Sequence, residues 1–332
     1  MVLNRNNILF FILVLIPLGF LATFRYPGLT PDTLSYYNLT TTIISGSTNV
    51  TEPFHQYVTS FLSIIPLPYY YLTNLTFFIY YVLFILALRQ SYKTLPMQNS
   101  ILFATLLQIF VYLNLVQMRW GLACAILMYS CQIKRTHTIK SILAIIFASC
   151  IHYFAILFIF LPFIKLKDRS SWIIIFLPII FFFFSTPVII VWIIDITKLI
   201  SSYSPSDLSY VVLKLEYYIN RIHLRDNFFN IFNAFNFITY MMIVILKIKN
   251  IHLDNLKNLI GPFLLLLSLH IFFIDIPIFS RRIMLLQTLF AVPIFFTCCL
   301  KFRPILFVYF VGMSLCAVSF VNIAFIKGLL RI

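Results

Sequence analysis

The stretch Gln117-Met118-Arg119-Trp120-Gly121 decides how this chain is read. It lies inside an apolar run from Met97 to Ile133 in which Arg119 is the only charge. An arginine near the middle of a membrane-embedded helix costs roughly 2.5–3.5 kcal/mol on insertion scales. Such a residue persists where it lines a wet cavity or meets an anion. The plainer alternative is a loop arginine between two spanning helices. Helix length weighs against that alternative: Gly121–Ile133 makes only about 20 Å of helix, against a hydrocarbon core of ~30 Å. Arg119 is therefore expected below the membrane surface, at the floor of a space open to water.

Working outward, the whole chain carries the same signature. It has 332 residues, 62% hydrophobic and 10% charged, with a mean hydropathy of +1.00. No soluble domain has that balance, so an all-α polytopic membrane protein is expected, one integral domain over residues 1–332. The apolar runs are continuous and do not alternate, which excludes a β-barrel. A formal charge of +15 would suit nucleic acid, but the basic residues sit at the ends of apolar runs, as the positive-inside rule requires. Nucleic acid is not an expected partner; the lipid bilayer is. Cys124, Cys131, Cys150, Cys298, Cys299 and Cys316 all fall in apolar segments, indicating neither a disulfide framework nor a zinc site. No metal-ligand spacing and no cofactor motif is visible.

In order, Ile8–Phe24 reads as a first span and retained anchor, without a cleavage motif after it. Residues 25–71 read as an outer loop: a polar part to about Thr51, then Pro53–Tyr71, which Pro66 and Pro68 reduce to a half-inserted helix. Leu75–Leu88 spans next, followed by the pair of segments around Arg119. Ser141–Ile164 poses a parity question. A single crossing would move Lys165, Lys167, Arg169, Lys247, Lys249 and Lys257 outside, whereas a hairpin with its tip at Ile151-His152-Tyr153 keeps them all inside. The hairpin, a short or re-entrant one, is preferred. Trp172–Ile194 spans outward, residues 195–227 form a second outer loop, and Phe228–Leu246, Leu259–Ile274, Met284–Leu300 and Ile305–Phe325 follow.

On that topology, with Lys327 and Arg331 set aside, the inner side holds nine Lys and five Arg, while the outer side holds Lys198, Lys214 and six Arg: Arg25, Arg119, Arg221, Arg225, Arg281 and Arg282. Topology needs only positive charge inside. Arginines outside call for another reason, and a planar guanidinium grips phosphate bidentately. Lys214, Tyr218, Arg221 and Arg225 recur at helical spacing opposite Val212, Leu215, Ile219 and Ile222, so an amphipathic surface helix is expected in the second outer loop. Anchoring on anionic lipid explains that stripe equally well. Arg281-Arg282, just after Asp275 and Pro277, suits pyrophosphate capture or an ion pair with Asp275. Carboxylates are scarce, nine in all. Pro31-Asp32 precedes Tyr36-Tyr37, and Glu52-Pro53 precedes His55 and Tyr57; a carboxylate among tyrosines fits sugar binding, although a loop carboxylate is commonly just solvated. His152, at the hairpin tip, is either a hydrogen-bonded core residue or a functional intramembrane one.

These stretches together resemble the EpsG group of O-antigen and capsule polymerases, the Wzy type. Pro31-Asp32 through Tyr36 is similar to an early acidic-aromatic loop, Glu52-Pro53 to a Glu-Pro element, and Arg119 through Ala123 to an Arg-x-x-x-Ala helix start, with Trp120 where Gln is usual. Ala148 through His152 resembles the approach to a membrane histidine, and Arg281-Arg282 a late arginine. The resemblance implies an inner-membrane glycosyltransferase with a GT-C-like bundle of about 9–11 helices and its active site facing the periplasm. Its implied substrates are undecaprenyl-pyrophosphate-linked oligosaccharides, as donor and acceptor, with a chain-length regulator as an allowed partner. The residues are expected to divide by role: Arg119, Arg281 and Arg282 on the donor pyrophosphate; Arg221, Arg225 and Tyr36 guiding substrate; Asp32, Glu52 or His152 as the base. An O-antigen ligase would share the chemistry but usually has a larger outer loop. A flippase or transporter would favour more spans and internal symmetry.

Overall fold

A computed structural model describes residues 16–24, 31–46, 52–91, 113, 117–133, 137–164, 171–184, 231–249, 256–274 and 276–301. Ten α-helices account for most of these residues, with no strand among them. They are α1 (Ile16–Thr23), α2 (Pro31–Ile44), α3 (Pro53–Leu62), α4 (Tyr69–Ser91), α5 (Met118–Ile133), α6 (Thr138–Ile151), α7 (Ser171–Phe184), α8 (Ile231–Ile248), α9 (Lys257–Phe272) and α10 (Pro277–Lys301). Short 3-10 turns at Tyr153–Phe158 and Leu161–Phe163 follow α6. Two helical stretches are long and apolar enough to cross a membrane, Tyr69–Ser91 (23 residues) and Phe279–Cys299 (21 residues). Clustering divides the chain into two compact units. The first holds residues 1–164, 254–259 and 292–332; the second holds 165–253 and 260–291.

In the first unit the polar stretch before Thr51 is not all loop: Pro31–Ile44 forms α2. Its buried positions are Thr33, Tyr36, Tyr37 and Thr40. They share one helical face but are polar or amphipathic, so no hydrophobic period announces the helix. The Tyr37 hydroxyl donates to Asn74 Oδ1 of α4 at 2.8 Å, tying α2 to α4. Helix α3 starts at Pro53, whose missing N–H costs nothing in a first turn. Glu52 before it is extended, at φ −59° and ψ 134°, as a residue preceding proline prefers. Pro66 and Pro68 separate α3 from α4. Of 10 residues and about 15 Å, α3 is too short to span.

Helix α3 buries His55, Thr59 and Leu62 and exposes Tyr57 and Phe61. Helix α4 likewise buries Thr73, Asn74 and Thr76 while Phe78 and Leu86 face out. Polar side chains turned inward beneath exposed apolar ones reverse the pattern of a water-soluble helix, and suit a surrounding that is itself apolar.

Helices α5 and α6 run as adjacent neighbours, joined where the Ser141 hydroxyl donates to the Ser130 carbonyl at 2.9 Å. Gly121 makes room for the backbone ahead of α5. A Cβ at that position would lie 2.5 Å from the Leu113 carbonyl oxygen. At His152 the chain leaves α6 in an extended conformation, φ −152° and ψ 112°. The imidazole Nδ1 accepts the Phe154 N–H at 3.2 Å, capping the 3-10 turn that follows. The break therefore falls at the expected Ile151-His152-Tyr153, and the arm after it is 3-10, not α. That tight turn packs Phe154 and Phe158 onto Trp120, with ring centroids 5.4 and 6.0 Å away.

The second unit is held by buried polar links as well as apolar packing. Asn236 of α8 donates to the Thr288 hydroxyl of α10 at 2.9 Å. The Tyr240 hydroxyl donates to the Ile175 carbonyl of α7 at 3.0 Å. His270 of α9 lies 3.1 Å from both the hydroxyl and the carbonyl oxygen of Ser280 on α10.

Candidate functional site

Arg119 begins α5 one residue after Met118, and its guanidinium reaches two segments distant in the chain. Nη1 donates to Glu52 Oε2 in an ion pair. Nε donates to the Tyr36 hydroxyl at 3.1 Å, and Cζ lies 4.9 Å from the centroid of the same ring. Both charged side chains are mostly covered, 23% exposed for Arg119 and 13% for Glu52. Arginine has five N–H donors in a planar fork. The two contacts above engage Nε and Nη1. Among the described residues no hydrogen bond reaches Nη2, which lies between the engaged Nε and Nη1 and is left for a further acceptor.

Tyr36 belongs to the buried face of α2 and is 5% exposed. It is a positioned partner of Arg119, not a surface residue. Around it lie Phe77, edge-on at 5.7 Å, and the His55 ring, tilted at 5.6 Å. His55 is fully buried, and its Nδ1 lies 3.4 Å from the Tyr80 hydroxyl. Burial, and secondarily the charge of Arg119, pushes the His55 imidazole down to about 3, so it is neutral at physiological pH. Beneath Arg119, Trp120 is 1% exposed and its ring is 5.2 Å from that of His152.

The residues expected to act are distributed as follows. Arg119, Glu52 and Tyr36 come together in the first unit. Asp32 lies in the first turn of α2, four residues before Tyr36. His152 meets the Trp120 ring edge-on, with one ring nitrogen occupied by the Phe154 N–H. Arg281 and Arg282 are on α10 in the second unit, the first exposed and the second half-buried. Arg221, Arg225 and Asp275 lie outside the described residues. Among the described residues no three His, Cys, Asp or Glu side chains gather as a metal site would require.

Two members of the cluster were not singled out in the sequence, His55 and Tyr80. A signal for His55 was present: Glu52, His55 and Thr59 recur at steps of three and four, a polar stripe beside a second one of Gln56 and Ser60. Tyr80 offered none, being one tyrosine among many in an aromatic-rich helix.

Among the described residues the fold is all-helical, with two helices fit to cross a membrane and an arginine–carboxylate–tyrosine cluster in the first unit, which is consistent with a helical membrane protein. The chain belongs to the EpsG family, whose profile matches residues 8–329. That membership suggests a polysaccharide-polymerase-like role acting on lipid-linked oligosaccharide. No curated protein and no solved structure matches the chain.

Proposed function

We propose that this protein is a polymerase joining undecaprenyl-pyrophosphate-linked oligosaccharide repeat units into O-antigen or capsular polysaccharide at the periplasmic face of the bacterial inner membrane. The observation that carries the reading is the pairing of Arg119 with Glu52 beside Tyr36. It puts a diphosphate-gripping group and a carboxylate base within one side-chain contact of each other.

In this reading the donor diphosphate meets Nη2 of the guanidinium and displaces Glu52 from Nη1, so that the Nη1/Nη2 edge grips it. As the anomeric C–O bond to the diphosphate breaks, negative charge grows on the leaving oxygen, and a preorganised guanidinium in a poorly hydrated site stabilises it. The acceptor sugar hydroxyl attacks the anomeric carbon, and its proton passes to the carboxylate that the diphosphate has displaced. Undecaprenyl pyrophosphate leaves. Glu52 is preferred to His152 as the base because the His152 Nδ1 lone pair is already spent on the Phe154 N–H. Asp32, one turn from Tyr36, remains the alternative base. Arg281, Arg282, Arg221 and Arg225 are proposed to hold or guide the same lipid-linked substrate.

The test is polymer length in cells whose own polymerase gene is deleted. Wild-type protein should restore long chains, and Arg119→Ala, inserted at normal level, should leave single repeat units attached. Normal chain lengths in that variant would remove Arg119 from the site. Complete loss of attached units on deletion would instead indicate a ligase or a flippase.

A further inference from the structure

One polar group beside the arginine cluster has no use in the chemistry above. His55 Nε2 is fully buried and has no hydrogen-bond partner. Its other ring nitrogen, Nδ1, faces the Tyr80 hydroxyl at 3.4 Å. That hydroxyl has no other hydrogen-bond partner among the described residues, so it satisfies its proton by donating to Nδ1. The ring proton then resides on Nε2, which becomes a buried N–H donor without an acceptor. Such donors are rare in folded proteins, because burial removes their water and returns nothing. Packing alone does not ask for one here, since a phenylalanine would fill the same place.

The surroundings say what would complete it. The His55 ring and the Arg119 guanidinium flank one tyrosine, 5.6 and 4.9 Å from the centre of the Tyr36 ring. The His55 backbone N–H bonds the Glu52 carbonyl at 3.0 Å, so the histidine belongs to the first helical turn after the carboxylate-bearing residue. Arg119 Nη2 and His55 Nε2 are both donors in want of an acceptor. An entering group must therefore bring lone pairs and no protons. Phosphate oxygens do that; a sugar hydroxyl brings a proton of its own and competes for Glu52.

We propose that His55 is a second diphosphate-contacting residue of this site, its neutral Nε2–H donating to a phosphate oxygen of the polyprenyl diphosphate gripped by Arg119. The inference rests on the polymerase reading and names the neutral half of its anion site. The contact forms when Arg119 exchanges Glu52 for phosphate.

Two substitutions separate the ring nitrogens. His55→Gln extends an amide to the place of Nε2 and keeps the donor. His55→Asn reaches only the place of Nδ1, keeping the Tyr80 contact and losing the donor. Undecaprenyl pyrophosphate binding is measured on the full-length protein in detergent by the shift of its melting temperature, with undecaprenol as the control lacking phosphate. His55→Asn should bind about tenfold more weakly, the loss expected for one hydrogen bond to a charged group, read as the ligand-induced shift above each variant's own ligand-free melting temperature, with undecaprenol binding unchanged. His55→Gln should stay within about threefold of wild type. Equal affinity in His55→Asn and wild type, or equal loss in both variants, overturns the proposal and leaves His55 a packing residue. A dead Arg119→Ala beside a fully active His55→Asn would sink this inference alone; an active Arg119→Ala would sink the polymerase site itself.

Discussion

Arg119 and Glu52, 67 positions apart in the chain, form an ion pair that is more than three-quarters covered on both sides. Removing one partner of such a pair leaves the other charge buried and costs about 3–5 kcal/mol, whereas removing both costs far less. Arg119→Ala should therefore melt well below wild type, and the double variant with Glu52→Ala should recover part of the loss. Neither should polymerise. Arg119→Lys keeps the charge but not the planar fork, and should retain insertion while losing at least tenfold in polymerisation. Melting of the purified protein and gel analysis of polymer length check these outcomes.

Glu52→Gln carries a prediction of opposite sign for binding and for turnover. Glu52 competes with the diphosphate for the guanidinium, so neutralising it should tighten undecaprenyl pyrophosphate binding by about three- to tenfold. Polymerisation should nonetheless fall by 100-fold or more, roughly the contribution of a positioned base. Weaker binding together with normal turnover would place the carboxylate outside the reaction.

Gly121→Ala puts a methyl group 2.5 Å from the Leu113 carbonyl oxygen, a backbone atom that cannot swing aside. Overpacking of this kind typically costs about 1–3 kcal/mol. The variant should melt lower and, because Gly121 follows Arg119 by two residues, lose activity in parallel. An unchanged melting temperature would mean that the two segments part without cost.

Burial makes the first unit sensitive to acid through His55. The unfolded chain takes up a proton near the ordinary value of 6.5, while the folded imidazole resists until about 3. In that interval the unfolded state binds more protons, so stability falls as pH drops from about 6.5 towards 3 and is fully present above it. His55→Gln removes the titrating group. Its melting temperature should fall less between pH 7 and pH 4.5 than that of wild type.

The helical, membrane-embedded class was legible from composition, because an apolar solvent demands continuous apolar runs and satisfied backbone groups. Arg119 was legible too, since a lone charge in such a run is too costly to be incidental. Charge parity singled out Ile151-His152-Tyr153, and α6 does end there, in an extended His152 followed by a 3-10 turn. Helix α2 was not legible: its buried face is threonine and tyrosine, and polar residues carry no period that a hydrophobic pattern can report. The stripe Glu52, His55, Thr59 was visible only as spacing, with nothing to say which way it faced.

The amino-acid sequence alone determined the solvent, the helical backbone, and that one arginine must meet something polar. Tertiary structure decided what it meets. Partner choice depends on which helix ends packing brings together, and Tyr36, Glu52 and Arg119 arrive from three separate segments whose mutual approach no local pattern encodes. The partner of His55 Nδ1 likewise follows from where Tyr80 comes to rest, one hydroxyl among many until the helices pack.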